Sequence, residues 1–280
     1  MDQPLLTSGR EADPAMVRSR DGTEIACWTT GNGPPLVLVH GAAADHTRWR
    51  PLLPHLEPHF TVHTVDRRGR GASGDRPGYA LEREFEDIAA VIDAVAADAG
   101  PVNVYGHSHG GIVAFGAATL TLKIRRLALY EGWPVPDPDV YGLPDGLVAR
   151  IDELVTGGDR DGAVELLIRE VVHVSDEDIA ALKAAPSWPG RVAAAHTMSR
   201  EIRAELTARL DPASARTITA PVLLLTGEHS ADPSTPHAGS VAAALPNARI
   251  VDIEGQGHVA DAVVPDLFAA HLLAFLQSTP

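Results

Sequence analysis

The sequence predicts an α/β domain: a mostly parallel sheet flanked by helices and interrupted by a helical insertion. Three observations carry this. Short apolar runs alternate with helical stretches from Met16 to Tyr130, as parallel strands joined by crossover helices do. Between 132 and 217 only helical patterns occur, after which strand-like runs resume. The glycine-flanked serine of Gly106-His107-Ser108-His109-Gly110 lies between an apolar run and a helical one, where a sharp strand-to-helix turn is expected.

Met16 to Ser19 and Glu24 to Thr29 flank Asp21-Gly22, a hairpin signal. Pro35 to Val39 is continuously apolar, as befits a strand buried on both faces, and Phe60 to Asp66 is the next strand. Leu81, Phe85, Ile88, Ile92 and Val95 recur at spacings of three and four, making one apolar stripe of a helix over 81–99 that Gly100 ends. A strand over 102–105, a helix over 112–120 and a strand over 127–130 follow. A proline-rich stretch, Trp133 to Pro138, opens the insertion, with helical patterns over 147–155, 163–172, 176–184 and 192–206. Val222 to Leu225 and Ile250 to Ile253 are strands, and 267–276 is a closing amphipathic helix. This divides the chain into a loose tail over 1–15, a core of 16–131 and 218–280, and a helical cap over 132–217.

Composition narrows the functional classes. Of 280 residues, 45% are hydrophobic, which excludes a disordered chain. No apolar run approaches the ~20 residues of a membrane span. The first residues lack the apolar core of a secretory signal, so a cytoplasmic location is expected. Lys and Arg number 23 against 37 Asp and Glu, a net charge of −14; such a field repels phosphate backbones and argues against nucleic-acid partners. The single cysteine, Cys27, permits no internal disulfide and no thiolate cluster, and its strand setting predicts a buried, inert thiol.

The 106–110 turn carries the chemistry. A nucleophile at its apex needs strained backbone angles, and side chains two positions either side would strike the neighbouring strand and helix, hence the glycines. The following helix aims its N-terminus at the same spot, which favours developing negative charge. Ser108 is therefore the expected nucleophile. A serine hydroxyl needs a base, and of the 13 histidines His258 stands out, in a loop after the last strand that returns over the carboxyl edge of the sheet. The backbone N–H of His109 and of Ala42, in His40-Gly41-Ala42, are the expected oxyanion donors. The rings of His107 and His109 should point away from the serine; with no third ligand in a motif, metal binding by this His-x-His pair is not expected.

These residues, with Asp66-Arg67-Arg68-Gly69-Arg70-Gly71-Ala72-Ser73, Pro221 to Gly227 and Gly257-His258, resemble the α/β-hydrolase fold family, in the group with a helical cap after the sixth strand. The resemblance spans roughly residues 16 to 278. It implies a cofactor-free enzyme and leaves the substrate open, since members include esterases, lipases, thioesterases, lactonases, carbon–carbon bond hydrolases, peroxidases and lyases; cousins that cleave epoxides or haloalkanes use an aspartate where this chain has Ser108. In most relatives a triad aspartate lies three residues beyond the glycine ending the seventh strand. Here that glycine is Gly227 and the position holds Ser230, which cannot supply the charge. Two acids remain: Glu131, after the sixth strand, as in some relatives, and Asp232, if the loop is reshaped. The arginine-rich 66–73 turn is expected to be structural.

The expected function is hydrolysis of carboxylic esters or related acyl compounds through an acyl-enzyme, with no metal or cofactor. Trp133, Tyr141, Trp188 and Met198 are candidates to line a mostly apolar substrate pocket, and the cap is also open to a homodimer contact. A cyclase or lyase using His258 as base, or a ligand-binding protein on a degenerate hydrolase fold, are alternatives that the shifted acid leaves open.

Overall fold

A computed structural model of the protein describes residues 13–137, 143–174, 176–230 and 235–278. The strands are β1 (Ala15–Arg18), β2 (Glu24–Gly31), β3 (Pro35–Val39), β4 (Thr61–Val65), β5 (Val102–His107), β6 (Ile124–Tyr130), β7 (Val222–Gly227) and β8 (Ala248–Ile253). Their spatial order is β1-β2-β4-β3-β5-β6-β7-β8. β1 and β2 pair antiparallel, β2 meets β4 antiparallel, and every later pairing is parallel. The continuous apolar runs lie in the middle: β3, β5 and β7 are buried along their whole length, whereas the edge strands β1 and β8 are largely exposed or half-exposed.

The helices are α1 (Leu53–Leu56), α2 (Leu81–Ala99), α3 (His109–Ala118), α4 (Leu147–Thr156), α5 (Arg160–Glu170), α6 (Asp176–Ala184), α7 (Trp188–Ala193), α8 (Met198–Glu205), α9 (Pro212–Ala215), α10 (Ala238–Ala244), α11 (Ala260–Val263) and α12 (Pro265–Leu276). α2 and α3 pack on one face of the sheet, in a core with Val37, Val104 and Leu127. α1 and α12 cover the other, against Leu38, Tyr105 and Leu223. α2 ends at Gly100 with φ 79°, a left-handed position that glycine fills without steric cost. α3 approaches α2 so closely that a Cβ on Gly116 would lie 2.3 Å from the Phe85 ring.

Most expected elements are present with shifted ends. Of the expected tail over 1–15, residues 1–12 lie outside the described residues; Ala15 already belongs to β1, paired with Cys27. α3 begins at His109 rather than Ile112, because the turn at Ser108 leads straight into it. The alanine-rich α10 was not expected: its sequence, AGSVAAA, has no apolar stripe to signal it. No helix among the described residues is long and apolar enough to cross a membrane. Cys27 is buried, and burial pushes its thiol up to about 12.

Helices α4 to α8 lie between β6 and β7 and form their own apolar core around Ile151, Val164, Leu167 and Ile202, which closes on Ala43 of the sheet domain. Buried ion pairs fasten them down. Glu201 of α8 receives Arg67 Nη2 at 3.1 Å and also Arg70, while Arg67 Nη1 reaches Glu84 of α2 at 2.6 Å. The 66–73 turn is thus a structural clamp, as expected. Asp66 accepts from the His46 and Ala72 backbone N–H groups, and Arg68 holds Asp87 through two donors.

Removing one partner from such a buried cluster leaves uncompensated charge, at a cost of about 3–5 kcal/mol. Glu201→Ala should lower the unfolding free energy by that amount in urea denaturation monitored by circular dichroism. A loss below about 1 kcal/mol would mean that Arg67 and Arg70 do not depend on Glu201.

Candidate active site

The site is built from the ends of β3, β5, β6, β7 and β8 on one rim of the sheet. β5 runs into Ser108, which adopts φ 53° and ψ −133° and starts α3. Its surroundings enforce this geometry. A Cβ on Gly106 would lie 2.6 Å from the Gly110 carbonyl oxygen, and one on Gly110 would lie 2.3 Å from those of Val39 and His40. A Cβ on Gly132 would lie 1.9 Å from the Ser108 carbonyl oxygen. Only glycines let the ends of β3, β5 and β6 approach this closely, and they hold a non-glycine residue in a costly conformation at the apex.

The next strand end carries Glu131. Its Oε2 accepts from His258 Nδ1 at 2.7 Å and from Ser230 Oγ at 2.7 Å, and its Oε1 accepts from the Gly227 backbone N–H at 2.7 Å. Ser230, where the resemblance would place an aspartate, is therefore a donor to Glu131, which follows β6. Asp232, the other candidate, lies outside the described residues. Because Nδ1 of His258 donates to Glu131, Nε2 is left as the basic nitrogen.

A second set of buried groups fixes the histidine loop. His107 Nε2 donates to the His258 carbonyl oxygen at 2.8 Å, and its Nδ1 accepts from Arg48 Nη2 at 2.7 Å. Arg48 is gripped by both oxygens of Asp261, at 2.9 and 2.8 Å, and Tyr105 donates to Asp261 Oδ2 at 3.0 Å. Tyr130 donates to the Gly257 carbonyl oxygen. The expectation that His107 points away from the site is corrected: its ring centroid lies 4.8 Å from that of His258. Burial, and next the Arg48 charge, hold the His107 imidazole well below its usual range, so it stays neutral and keeps one tautomer. His109 does turn away, bonding Glu205 through Nδ1 at 2.6 Å.

Ser108 and His258 line one cavity with Gly41, Ala42 and His107. Ala42 follows Gly41, whose Cβ position is 3.0 Å from Ser108 Cβ. Arg67 secures this turn by donating to the carbonyl oxygens of His40 and Gly41, at 2.9 and 3.1 Å. Among the described residues neither the Ala42 nor the His109 backbone N–H donates to a protein acceptor. The insertion supplies the apolar wall through Leu167, Ile168, Val171, Leu182 and Ile202. The expected pocket residues are placed elsewhere. Trp133 is buried in the sheet–helix core and Met198 in the core of the insertion. Trp188 also packs there and donates to Asp161 at 2.7 Å. Tyr141 lies outside the described residues. Bulky residues that complete a helical core have no free face for a ligand, and smaller aliphatics line the cavity.

Sequence reasoning missed Arg48, Asp261, Tyr105 and Tyr130, which show no local motif. Glu84, His109 and Glu201 bring ligand atoms within 4.8 Å of one another, but both carboxylates already face arginines, a donor set that does not suit a cation.

A profile of the Alpha/beta hydrolase family matches residues 36–271. The chain belongs to this family. A pimeloyl-[acyl-carrier protein] methyl ester esterase of Xanthomonas campestris is 31% identical over 89% of this chain and 98% of its own. The crystal structure of an alpha/beta hydrolase from Sphaerobacter thermophilus superposes with a TM-score of 0.78 at 40% identity, covering 94% of this chain and all of that one. The enol-lactonase of Burkholderia xenovorans shares the hydrolase fold at 22% identity, with a TM-score of 0.74 over 94% of this chain and all of that one.

Two buried histidines of this site should set the acid limit of the hydrolase. Burial first, then neighbouring arginines, hold His40 and His107 well below the ordinary histidine value of 6.5. Below that value the unfolded chain takes up protons that the native state refuses, so stability falls as pH drops and is unaffected by these groups above it. Each contributes up to about 1.4 kcal/mol per pH unit. Urea midpoints at pH 7 and 5 check this, and His107→Gln should flatten the slope.

Proposed function

We propose that the protein is a serine esterase that cleaves small carboxylic esters or related acyl compounds through an acyl-enzyme. The observation that carries this is the 2.7 Å hydrogen bond from His258 Nδ1 to Glu131, made by a histidine that shares a cavity with Ser108. Ser108 Oγ attacks the ester carbonyl as His258 Nε2 takes its proton. Glu131 fixes the tautomer and stabilises the imidazolium. The N–H groups of Ala42 and His109 receive the developing oxyanion. His258 returns the proton to the departing alkoxide, then activates the water that releases the acid. These steps use only this chain and water.

Family membership and the methyl ester esterase relative support ester substrates. The cavity is small, about 70 Å³, which favours a short acyl group. With Glu131 and Ser230 bonded to each other, the shifted acid no longer favours a lyase or a degenerate binding protein.

Ser108→Ala should lower kcat for a short-chain p-nitrophenyl ester by at least about 10³-fold, and a fluorophosphonate should label wild type at Ser108 only. Glu131→Gln should lower kcat by roughly 10³ to 10⁴-fold while leaving the fold intact by circular dichroism. Full activity of either variant would overturn the mechanism.

A further inference from the structure

The cavity wall contains a cation that forms no salt bridge among the described residues. Arg191, on α7 of the insertion, lines the cavity with Ser108 and His258. Its Nη1 donates to the Ala43 carbonyl oxygen at 3.2 Å, while its Nε is buried without a partner. No carboxylate among the described residues forms a salt bridge with it. The other charges around the cavity are committed: Arg48 to Asp261, Glu201 to Arg67 and Arg70, and Glu205 to His109. Asp45 lies beside Gly190, with its Oδ2 2.1 Å from that glycine's Cβ position, and its Oδ1 takes the Thr47 backbone N–H at 2.9 Å; its charge and that of Asp261 act on Arg191 without forming a salt bridge to it.

We propose that Arg191 receives a carboxylate of the substrate, so that the ester hydrolysed is one whose acyl part carries a second, free acid group. A partly buried guanidinium with a single neutral acceptor and an unsatisfied buried Nε is costly to keep, and a tether to one carbonyl uses one of its five donors. A carboxylate engages the planar fork through two parallel bonds and neutralises it. Burial, and next the repulsion of Arg48, lower the guanidinium to about 10, which still leaves it charged at neutral pH. The geometry also sets the spacing. Ala43, which holds Arg191, follows Ala42, the proposed oxyanion donor, so the bound acid and the scissile carbonyl lie within a few bonds of each other. Half-esters of short dicarboxylic acids match this.

The role of Arg191 presupposes the esterase reading, and the experiment separates the two. Hydrolysis of monomethyl succinate and dimethyl succinate, which share a skeleton and differ by one charge, is followed by pH-stat for wild type, Arg191→Gln and Arg191→Lys; succinate binding is measured by calorimetry. Wild type should prefer the half-ester in kcat/KM by on the order of 10²-fold, mainly through KM. Arg191→Gln should lose most of that preference and bind succinate at least about 30-fold more weakly. Arg191→Lys should recover part of both. A wild type that turns over both esters without preference, or a preference that survives in Arg191→Gln, overturns the carboxylate role alone. Succinate binding that depends on Arg191, with no ester turnover and no fluorophosphonate labelling of Ser108, would overturn the esterase reading and keep the anion site. Succinate that fails to bind wild type overturns the anion site.

Discussion

Everything at this site depends on how closely three backbone segments approach Ser108. The ends of β3 and β6 and the start of α3 press against the serine turn, and side chains at Gly106, Gly110 or Gly132 would occupy space already filled by carbonyl oxygens. The contacts hold Ser108 at a positive φ that a serine avoids by itself. Strain of this kind persists only where the surroundings over-determine it. In return Ser108 lines the cavity and stands at the N-terminus of α3.

The same packing explains why the proposed acid, Glu131, can sit just after β6. β6 pairs with β5 on one side and β7 on the other, so Glu131 emerges between the serine turn and the loop after Gly227. It takes a backbone N–H from Gly227 and a hydroxyl from Ser230. The serine at the usual aspartate position thus contributes a hydrogen bond in place of a charge. Glu131 itself sits at φ 44°, and the Gly132 that follows is where the chain crosses the serine turn. On the opposite side, Tyr105, Asp261, Arg48 and His107 form a buried chain of hydrogen bonds ending on the His258 backbone. Side chain and backbone of the proposed base are therefore held by separate groups, which restricts the imidazole to a narrow range of positions.

The inserted helices are tied to the sheet domain by charge as well as by apolar contact. Glu201 meets two arginines of the 66–73 turn, and one of these, Arg67, also holds the carbonyl groups of His40 and Gly41. The proposed oxyanion turn and the insertion thus share a single anchor. Arg191 adds a second link, from α7 to Ala43. Both links converge on the loop after β3, so a change in how the insertion sits would be felt at the turn that faces Ser108.

The sequence by itself determined the parallel sheet, the place of the insertion, the serine turn and the histidine loop. Each is encoded locally: continuous apolar runs mark buried strands, the 3.6-residue stripe of 81–99 marks α2, and glycines two positions either side of Ser108 mark a turn that tolerates nothing larger. Local pattern left the acid open between Glu131 and Asp232, because the choice depends on which loop end reaches His258. It also gave Trp133, Trp188 and Met198 the same apolar signature whether they line a pocket or fill a core, and only packing shows that they fill cores. Arg48 and Asp261 are 213 residues apart and Arg67 and Glu201 are 134 apart. No periodicity encodes such pairs; they exist because the sheet brings distant strand ends to one rim, where buried charges must find each other.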